Sequence, residues 1–284
     1  MKAIILSAGQ GKRLLPLTSE EPKCLLPTDN HRPVLELQLE AFEQCGIERI
    51  TVMVGFGADR VERFLEGYPT RHLQIHTRYN PFFATSNNLA TCWLAIPEMT
   101  EDFILLNGDT VFESAVLQRL LTAPPAPVTL TIDQKDTLYD EDDMKVFLNG
   151  GSRLKAVGKT LPAAMTHGES IGLMRFCNRG VAAFRTTLDT AIRTPEGLQR
   201  WYLSVINTMA EHEHVDTVSI KGLWWGEIDT PEDLADVRAH FVRRAAALSS
   251  RSQLESTFAS SLHVGDCVGG ASSSLGAHLT KAGR

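Results

Sequence analysis

The sequence predicts an α/β fold: a doubly wound, mostly parallel sheet with helices on both faces and an inserted β-rich region. Between residues 2 and 106, short apolar runs alternate with segments of helical periodicity, as in parallel strands joined by crossover helices. Between residues 128 and 220 several apolar runs follow one another, which is typical of antiparallel strands. The 284 residues, 43% hydrophobic and 22% charged, have the length and composition of a globular protein with a large core.

The first half of the chain is predicted to hold four strands separated by three helices. The first helix begins near Pro33, a residue favoured in the first turn, and ends at Gly46, a common residue after a helix. Leu35, Leu39 and Phe42 share one face of this helix. The predicted strands cover residues 2–6, 50–54, 72–76 and 103–106, and the other two helices cover residues 59–66 and 87–96.

The second half is predicted to continue with further strands and helices. The strands cover residues 128–132, 144–148, 154–157, 171–176 and 215–220, and the helices cover residues 181–192, 198–210 and 231–247. The acidic stretch 140–143 is predicted to be a solvated loop. Residues 248–284 are rich in Ser, Gly and Ala, so we expect a flexible tail after a single domain of residues 1–247.

Composition argues against several classes of function. A net charge of −6 is unlike that of a general nucleic-acid binder, which needs a basic face. No stretch approaches the roughly 18 apolar residues of a membrane helix, and a strand that begins at Lys2 leaves no room for a signal peptide before it. Five scattered cysteines without a CxxC pair argue against disulfides and against a zinc site. We therefore expect a cytoplasmic protein with no nucleic-acid or membrane partner.

A glycine-containing loop follows the first strand. Gly9 and Gly11 let backbone N–H groups approach a phosphate without meeting a Cβ atom, and Lys12 and Arg13 can neutralise a polyphosphate. The loop lacks the Gly-Lys-Ser/Thr spacing of a Walker A loop, and Leu14 replaces the third glycine of the dinucleotide fingerprint. A tight turn between a strand and a helix is the alternative interpretation of this loop.

A lysine and three acidic residues complete the candidate chemistry. Lys23 lies between two prolines on a restrained loop, which suits a lysine that meets a phosphate, although most lysines are surface residues. Asp109 follows an apolar strand, at the strand end where ligands of α/β sheets collect. Glu227 and Asp229 point to one face of an extended segment. Asp109 and Asp229 therefore predict a Mg²⁺ site if their strands adjoin, with a helix N-cap as the alternative role of Asp229.

These motifs, in this order, resemble the signature of the sugar-phosphate nucleotidylyltransferases. The segments that carry the resemblance are Ala8-Gly-Gln-Gly-Lys-Arg13 with Pro16 and Thr18, Pro22-Lys23, Asn80-Pro-Phe-Phe-Ala-Thr-Ser-Asn-Asn-Leu89, Gly108-Asp109 and Glu227-Ile-Asp229. The last three are similar to the phosphocholine cytidylyltransferase branch of that family. The resemblance extends over roughly residues 1–243.

The resemblance implies a Rossmann-like nucleotidyltransferase fold in which residues 128–220 contribute the acceptor-binding region. It implies transfer of CMP from CTP, or of the nucleotidyl group of another NTP, to a small phosphate- or phosphonate-bearing acceptor with release of pyrophosphate. Mg²⁺ is the implied cofactor, and Asp109, Glu227 and Asp229 would surround it. Arg13 and Lys23 are the implied catalytic residues. The implied nucleotide-binding residues are Leu6, Ala8, Gly9, Gly11, Lys12, Arg13, Asn80, Ser86, Asn87 and Asn88.

The acceptor is expected to carry an amine. Trp201, Tyr202 and Trp225 lie in the same half of the chain as Glu169, and an aromatic face with a carboxylate holds an ammonium group. Together with Lys23 these residues form the predicted acceptor-binding set, and core packing is the alternative role of each aromatic residue. A sugar 1-phosphate or an inositol phosphate is the alternative acceptor. A non-catalytic nucleotide-binding regulator is the alternative class, and the chain is expected to be a monomer or a homodimer.

Overall fold

The structure is a computed structural model that describes residues 1–29, 31–70 and 72–264. The chain divides into two compact units, Met1–Arg238 and Ala239–Arg284, and the first carries the sheet and the candidate site. The strands are β1 (Lys2–Ser7), β2 (Pro27–Asp29), β3 (Arg32–Pro33), β4 (Arg49–Val54), β5 (Gln74–Tyr79), β6 (Phe103–Asn107), β7 (Thr110–Phe112), β8 (Val128–Asp133), β9 (Lys145–Leu148), β10 (Leu154–Gly158), β11 (Gly168–Phe176), β12 (Val215–Ser219) and β13 (Trp225–Glu227). The α-helices are α1 (Val34–Gln44), α2 (Ala58–Glu66), α3 (Asn88–Leu94), α4 (Ser114–Thr122), α5 (Arg179–Ile192), α6 (Leu203–Ala210) and α7 (Pro231–Val264).

Nine of the described strands form one mixed sheet. Its main path runs β10-β9-β11-β6-β1-β4-β5; off this path, β8 pairs with β11, and β12 pairs with β8. β1 pairs in parallel with β4 and with β6, and β4 pairs in parallel with β5. β11 is antiparallel to β6 and to β8, so the strands after residue 128 extend the parallel part of the sheet rather than form a separate one. The predicted fold, a mostly parallel sheet with an inserted β-rich region, is confirmed.

Helices cover both faces of the sheet. All six residues of β1 are buried, as expected of a central parallel strand. Leu35, Leu39 and Phe42 of α1 pack on one face in a cluster that includes α4. On the other face α3, α5 and α6 pack together, and Phe184 stacks on Phe176 with ring centroids 4.3 Å apart. The helix face predicted from the spacing of apolar residues in α1 is therefore the buried face.

Some elements differ from the sequence predictions. Helix α4 and the antiparallel pair β7–β13 were not predicted. Each strand of the pair has only three residues, too few for a recognisable pattern. The helix predicted over residues 198–210 begins at Leu203, since Gly197–Gln199 forms a separate 3₁₀ turn. Helix α7 continues to Val264, beyond the predicted end at residue 247. The remainder of the predicted flexible tail, residues 265–284, lies outside the described residues.

Two further observations concern membranes and thiols. Within the described part of the chain, no helix is both long enough and apolar enough to cross a membrane. Cys24, Cys45, Cys92 and Cys177 are free thiols. Cys24 and Cys92 are buried, where a thiol packs as a small apolar side chain.

Candidate active site

A cavity of about 300 Å³ opens at the carboxyl edge of the parallel strands. β1 and β6 are parallel neighbours, so the loops that follow them begin at the same edge. The loop after β1 supplies Ala8, Gly9 and Gly11 to the lining, and the turn after β6 supplies Gly108 and Asp109. Ligands of open α/β sheets bind at this edge, so this cavity is the candidate active site.

The loop after β1 depends on the left-handed backbone of Gly11. Its φ of 73° is a conformation that residues with a side chain rarely adopt, and its carbonyl accepts a 2.8 Å hydrogen bond from Thr18 Oγ1. The 3₁₀ helix Lys12–Leu14 follows, with Arg13 lining the cavity and Lys12 exposed outside it. The predicted nucleotide-binding residues that line the cavity are Leu6, Ala8, Gly9, Gly11, Arg13, Ser86, Asn87 and Asn88.

Lys23 is a largely buried ammonium group, with 12% of its side chain exposed, between two carboxylates. Its side chain passes over Gly11, where an added Cβ atom would lie 3.0 Å from Lys23 Cδ. Lys23 Nζ donates to Asp109 Oδ2 at 2.7 Å and to Asp229 Oδ1 at 2.6 Å. Burial acts to lower the pKa of Lys23, but the two carboxylates raise it above its usual value. Lys23 is therefore a charged residue of the cavity and not a surface lysine.

Three carboxylates meet beside this lysine. Asp109 follows β6, Glu227 ends β13, and Asp229 comes two residues later. The Ile228 N–H donates to the carbonyl of Asp109 at 3.2 Å, which joins the two chain segments directly. One carboxylate oxygen of each acidic residue lies within 4.8 Å of the others. The two segments adjoin, as the predicted metal site requires.

The carboxylate cluster fits a divalent cation. Asp109 Oδ1 is buried without a hydrogen-bond partner, a costly state for a carboxylate oxygen. Desolvation by the surrounding protein atoms and the neighbouring Asp109 and Asp229 carboxylates raise the pKa of Glu227 to about 8, although the residue itself remains exposed. Burial opposes the ionisation of Asp229, but Lys23 and Arg13 hold its pKa below the usual value. Crowded carboxylate oxygens of this kind are the ligands that Mg²⁺ prefers.

A chain of ion pairs extends from the cluster along the cavity. Arg13 donates to Asp229 Oδ2 at 2.6 Å and to Asp142 Oδ2 at 3.1 Å. Lys159 Nζ donates to Asp142 Oδ1 at 3.2 Å and lies 4.9 Å from the centroid of the Trp201 ring. All of these residues line the cavity. The acidic loop predicted to be merely solvated thus contributes one carboxylate to the candidate site.

Another wall of the cavity is formed at the start of α3. The Asn87 side chain caps this helix by accepting from the Asn88 N–H at 2.8 Å, and the Asn87 N–H donates to Leu198 O at 2.6 Å. Asn88 Oδ1 accepts from the Tyr202 N–H at 3.0 Å. Asn80, by contrast, is fully buried, makes its side-chain hydrogen bonds within the protein and does not line the cavity. The prediction that Asn80 contacts the nucleotide is therefore corrected: its side chain shapes the turn before α3.

Glu169 does not line the cavity, contrary to the predicted acceptor-binding role. It is only 2% exposed, and its Oε1 lies 2.7 Å from Lys135 Nζ. Burial and the neighbouring Asp143 raise the pKa of Glu169 to about 8, although Lys135 opposes the shift. Ser170, the next residue of β11, does line the cavity. Because side chains alternate along a strand, Glu169 points to the other side.

Two of the three predicted acceptor-binding aromatic residues also lie outside the lining. The buried Tyr202 donates from its hydroxyl group to Asn107 Oδ1 at 3.0 Å, and Trp225 Nε1 donates to Asp133 Oδ2 at 3.0 Å. Trp201 alone of the three lines the cavity. The alternative role in packing and internal hydrogen bonding therefore applies to Tyr202 and Trp225.

Asp142 and Lys159 line the site and were missing from the sequence analysis. Asp142 belongs to an acidic stretch of a type that is usually solvated. Lys159 follows β10 without any flanking motif. Their only local signal is charge next to a predicted strand, which many surface residues share.

Comparisons with known proteins agree with this geometry. The chain matches the family described as MobA-like NTP transferase domain over residues 3–167. A CTP:phosphoglutamine cytidylyltransferase of Campylobacter jejuni is 27% identical over 256 residues, which are 82% of this chain and 98% of that protein. A CMP-5'-(3-aminopropyl)phosphonate synthase of Streptomyces rubellomurinus is 39% identical over 126 residues, 44% of this chain but only 20% of that protein.

A solved structure shows the same fold. The CTP:phosphocholine cytidylyltransferase of Streptococcus pneumoniae superimposes with a TM-score of 0.67 at 20% identity, covering 84% of this chain and 97% of that one. The matched family segment contains the glycine loop, Lys23 and Asp109. The predicted resemblance to nucleotidylyltransferases and the predicted enzyme class, a nucleotidyltransferase, are both confirmed. The chain therefore belongs to the family of MobA-like NTP transferase domains.

Proposed function

We propose that this protein is a Mg²⁺-dependent cytidylyltransferase that transfers CMP from CTP to a small phosphorylated or phosphonylated amine. The observation that carries the proposal is the largely buried Lys23 ammonium between Asp109 and Asp229. A reaction between two phosphate groups requires positive charge at the site. A lysine beside carboxylates that can hold a divalent ion supplies it. The names of the relatives support CTP as donor and an amine-bearing acceptor, because one relative is named for phosphoglutamine and the other for 3-aminopropylphosphonate.

The transfer needs positioning and charge rather than covalent help from the protein. An oxygen of the acceptor phosphate or phosphonate attacks the α-phosphorus of CTP. The bond from that phosphorus to the bridging oxygen breaks, and pyrophosphate leaves with the bonding electrons. The barrier is the repulsion between two anions, which Lys23 and Arg13 offset as negative charge gathers around the α-phosphorus. An acceptor oxygen that is already ionised requires no general base.

The carboxylate cluster and the two cations would exchange partners when substrates bind. Asp109, Glu227 and Asp229 would hold Mg²⁺, which when bound neutralises charge on the phosphate oxygens. In the structure, Lys23 and Arg13 are paired with these carboxylates. Phosphate oxygens would replace the carboxylates as partners of the two cations, and the carboxylates would then serve the metal. Lys23, the least exposed cation of the cluster, would then keep a charged partner in both states.

The amine of the acceptor would bind between Trp201 and Asp142. In the structure, the ammonium group of Lys159 occupies this place, 3.2 Å from a carboxylate oxygen of Asp142 and 4.9 Å from the Trp201 ring centroid. An aromatic face and a carboxylate are the two groups that hold an ammonium ion. An acceptor amine would replace Lys159 there and leave that lysine free to meet an anionic group of the substrate.

Pyrophosphate release, measured for each of four NTPs with each candidate acceptor, tests the proposal. With CTP, we expect kcat/KM for phosphocholine or 2-aminoethylphosphonate to exceed that for glucose 1-phosphate and for an inositol phosphate by at least ~10-fold, which corresponds to one contact of ~1.4 kcal/mol. Equal or better use of a sugar phosphate would favour the alternative acceptor class. Binding of an NTP without pyrophosphate release from any acceptor would favour a non-catalytic regulator.

The proposed amine site gives a second prediction. Asp142→Asn should raise the KM for the amine-bearing acceptor by about 10-fold, the value of one charge-assisted hydrogen bond of about 1.5 kcal/mol, with little change in the KM for CTP. The matched control is Asp140→Asn, which removes the same charge from the same loop at an exposed residue outside the lining. An unchanged acceptor KM in Asp142→Asn would remove this residue from the amine site.

The remaining expectations from the sequence stay part of the proposal. We propose one nucleotidyltransferase domain over residues 1–247, with residues 128–220 contributing the acceptor region. Asp142, Lys159 and Trp201 all come from that region and line the cavity, which supports this division. A cytoplasmic location stays a prediction from the cysteine content, and a monomeric or homodimeric state stays an expectation.

A further inference from the structure

Gln38 of helix α1 lies outside the cavity lining but bonds to the turn that carries Asp109. Its side chain is buried, with 1% exposure. Gln38 Nε2 donates to Asn107 O at 2.9 Å and to Thr110 O at 2.8 Å. These carbonyls stand on either side of Gly108 and Asp109, so one amide nitrogen uses both of its hydrogens to span the base of the turn.

The other side of the same turn is held by the backbone. The Gly108 N–H donates to Leu6 O at 3.0 Å, and an added Cβ atom on Gly108 would lie 2.6 Å from that oxygen. The carbonyl of Asp109 accepts from the Ile228 N–H, between Glu227 and Asp229. The turn is therefore clamped between Gln38 and the chain segments of the site.

A purely structural role explains Gln38 poorly. The neighbouring buried residues of α1 are apolar, and α1 packs on the sheet through Leu35, Leu39 and Phe42. Burying an amide costs free energy unless its polar atoms are satisfied, and Gln38 Oε1 has no hydrogen-bond partner. An apolar residue of similar volume would suit the helix at a lower desolvation cost, so the hydrogen bonds to the turn are the distinctive contribution of this side chain.

We propose that Gln38 is a positioning residue for the metal site: by spanning Asn107 O and Thr110 O, it fixes the Asp109 carboxylate relative to Glu227 and Asp229. The inference rests on the proposed function, because it concerns the proposed cation. Asp109 Oδ1 has no hydrogen-bond partner of its own, so its place depends on the backbone of the turn and on the contact of Oδ2 with Lys23. Groups that orient metal ligands typically change metal affinity or activity by about 10- to 100-fold when removed.

The test compares metal binding with stability. Gln38→Met keeps a long side chain of similar volume and removes both donors. We expect the dissociation constant for Mn²⁺, measured by water-proton relaxation with CTP present and no acceptor, to rise by about 10-fold. The Mg²⁺ concentration for half-maximal pyrophosphate release should rise in parallel. The matched control is Arg175→Met, which loses donors to the carbonyls of Leu121, Ala123 and Pro124 outside the cavity lining.

The control separates positioning from general loss of stability. We expect Arg175→Met to lower the melting temperature while it keeps the wild-type Mn²⁺ affinity. Equal Mn²⁺ affinity in wild type and Gln38→Met, or an equal loss in Arg175→Met, would overturn the inference and leave the proposed function intact. A wild-type protein that neither binds Mn²⁺ in the presence of CTP nor releases pyrophosphate would overturn both. If Gln38→Met does not fold, Gln38→Asn replaces it, because its side chain is one methylene too short to span both carbonyls. The same loss of Mn²⁺ affinity is expected of it, and wild-type affinity would overturn the inference.

Discussion

Substitution of Asp109 by asparagine should lower turnover at saturating CTP and acceptor by at least ~10²-fold, the effect of removing one strong electrostatic group from a transition state. Asparagine keeps the shape of the side chain, so the turn and its bonds to Gln38 are retained. The amide, however, offers no negative charge to a cation or to Lys23, and its NH₂ group would face the Lys23 ammonium or the metal. The measurement is pyrophosphate release, with the melting temperature recorded beside it.

Asp133→Asn is the matched control for this prediction. Asp133 is a partly buried carboxylate at the end of β8 that accepts from Trp225 Nε1 and does not line the cavity. Its amide variant should keep turnover within a few-fold of wild type. A near-normal rate for Asp109→Asn would remove Asp109 from the reaction, whatever the control shows. Loss of activity in both variants would point to folding rather than to the metal site.

The position of Asp109 is predictable because it depends on local pattern and one general rule. An apolar run predicts β6, and the ends of parallel strands meet at one edge of a sheet, so a carboxylate just after the strand lies at the ligand edge. Lys23 was predicted on similar grounds, from the prolines that restrain its loop. The approach of Asp229 to Asp109 required one further condition, that their segments adjoin, and the pairing of β7 with β13 meets it.

The proposed acceptor side was less predictable because it depends on strand phase and on loops. The strand was predicted from the apolar run 171–176, which begins after Glu169. The pattern therefore did not show that Glu169 belongs to the strand and points away from the side of the cavity residue Ser170. Asp142 and Lys159 come from two loops that meet only in the folded chain, where Asp142 bridges Arg13 and Lys159. Composition shows that this region carries charged and aromatic residues, but it did not distinguish residues with internal partners from residues that line the cavity.

Lys23→Met should lower turnover at saturation by at least ~10²-fold, while the dissociation constant for CTP changes by less than ~10-fold. Methionine keeps a long apolar stem over Gly11 and removes only the charge. Arg13 and the backbone of the glycine loop remain to bind the triphosphate, so most ground-state affinity should survive. The charge that offsets repulsion between the two phosphate groups would be lost, which affects the transition state most. Pyrophosphate release and equilibrium binding of CTP measure the two effects separately.

The same variant should make the protein more dependent on metal for its stability. Without the Lys23 ammonium, Asp109, Glu227 and Asp229 lie within 4.8 Å of one another with less compensating charge. Mg²⁺ should therefore raise the melting temperature of Lys23→Met by more than that of wild type, yet it should not restore turnover. Lys155→Met, at an exposed residue of β10 outside the cavity lining, should behave as wild type in both measurements. Normal saturating turnover with lost CTP affinity in Lys23→Met would show that Lys23 binds only the ground state, and the anion repulsion would then have to be offset by Arg13 and the metal alone.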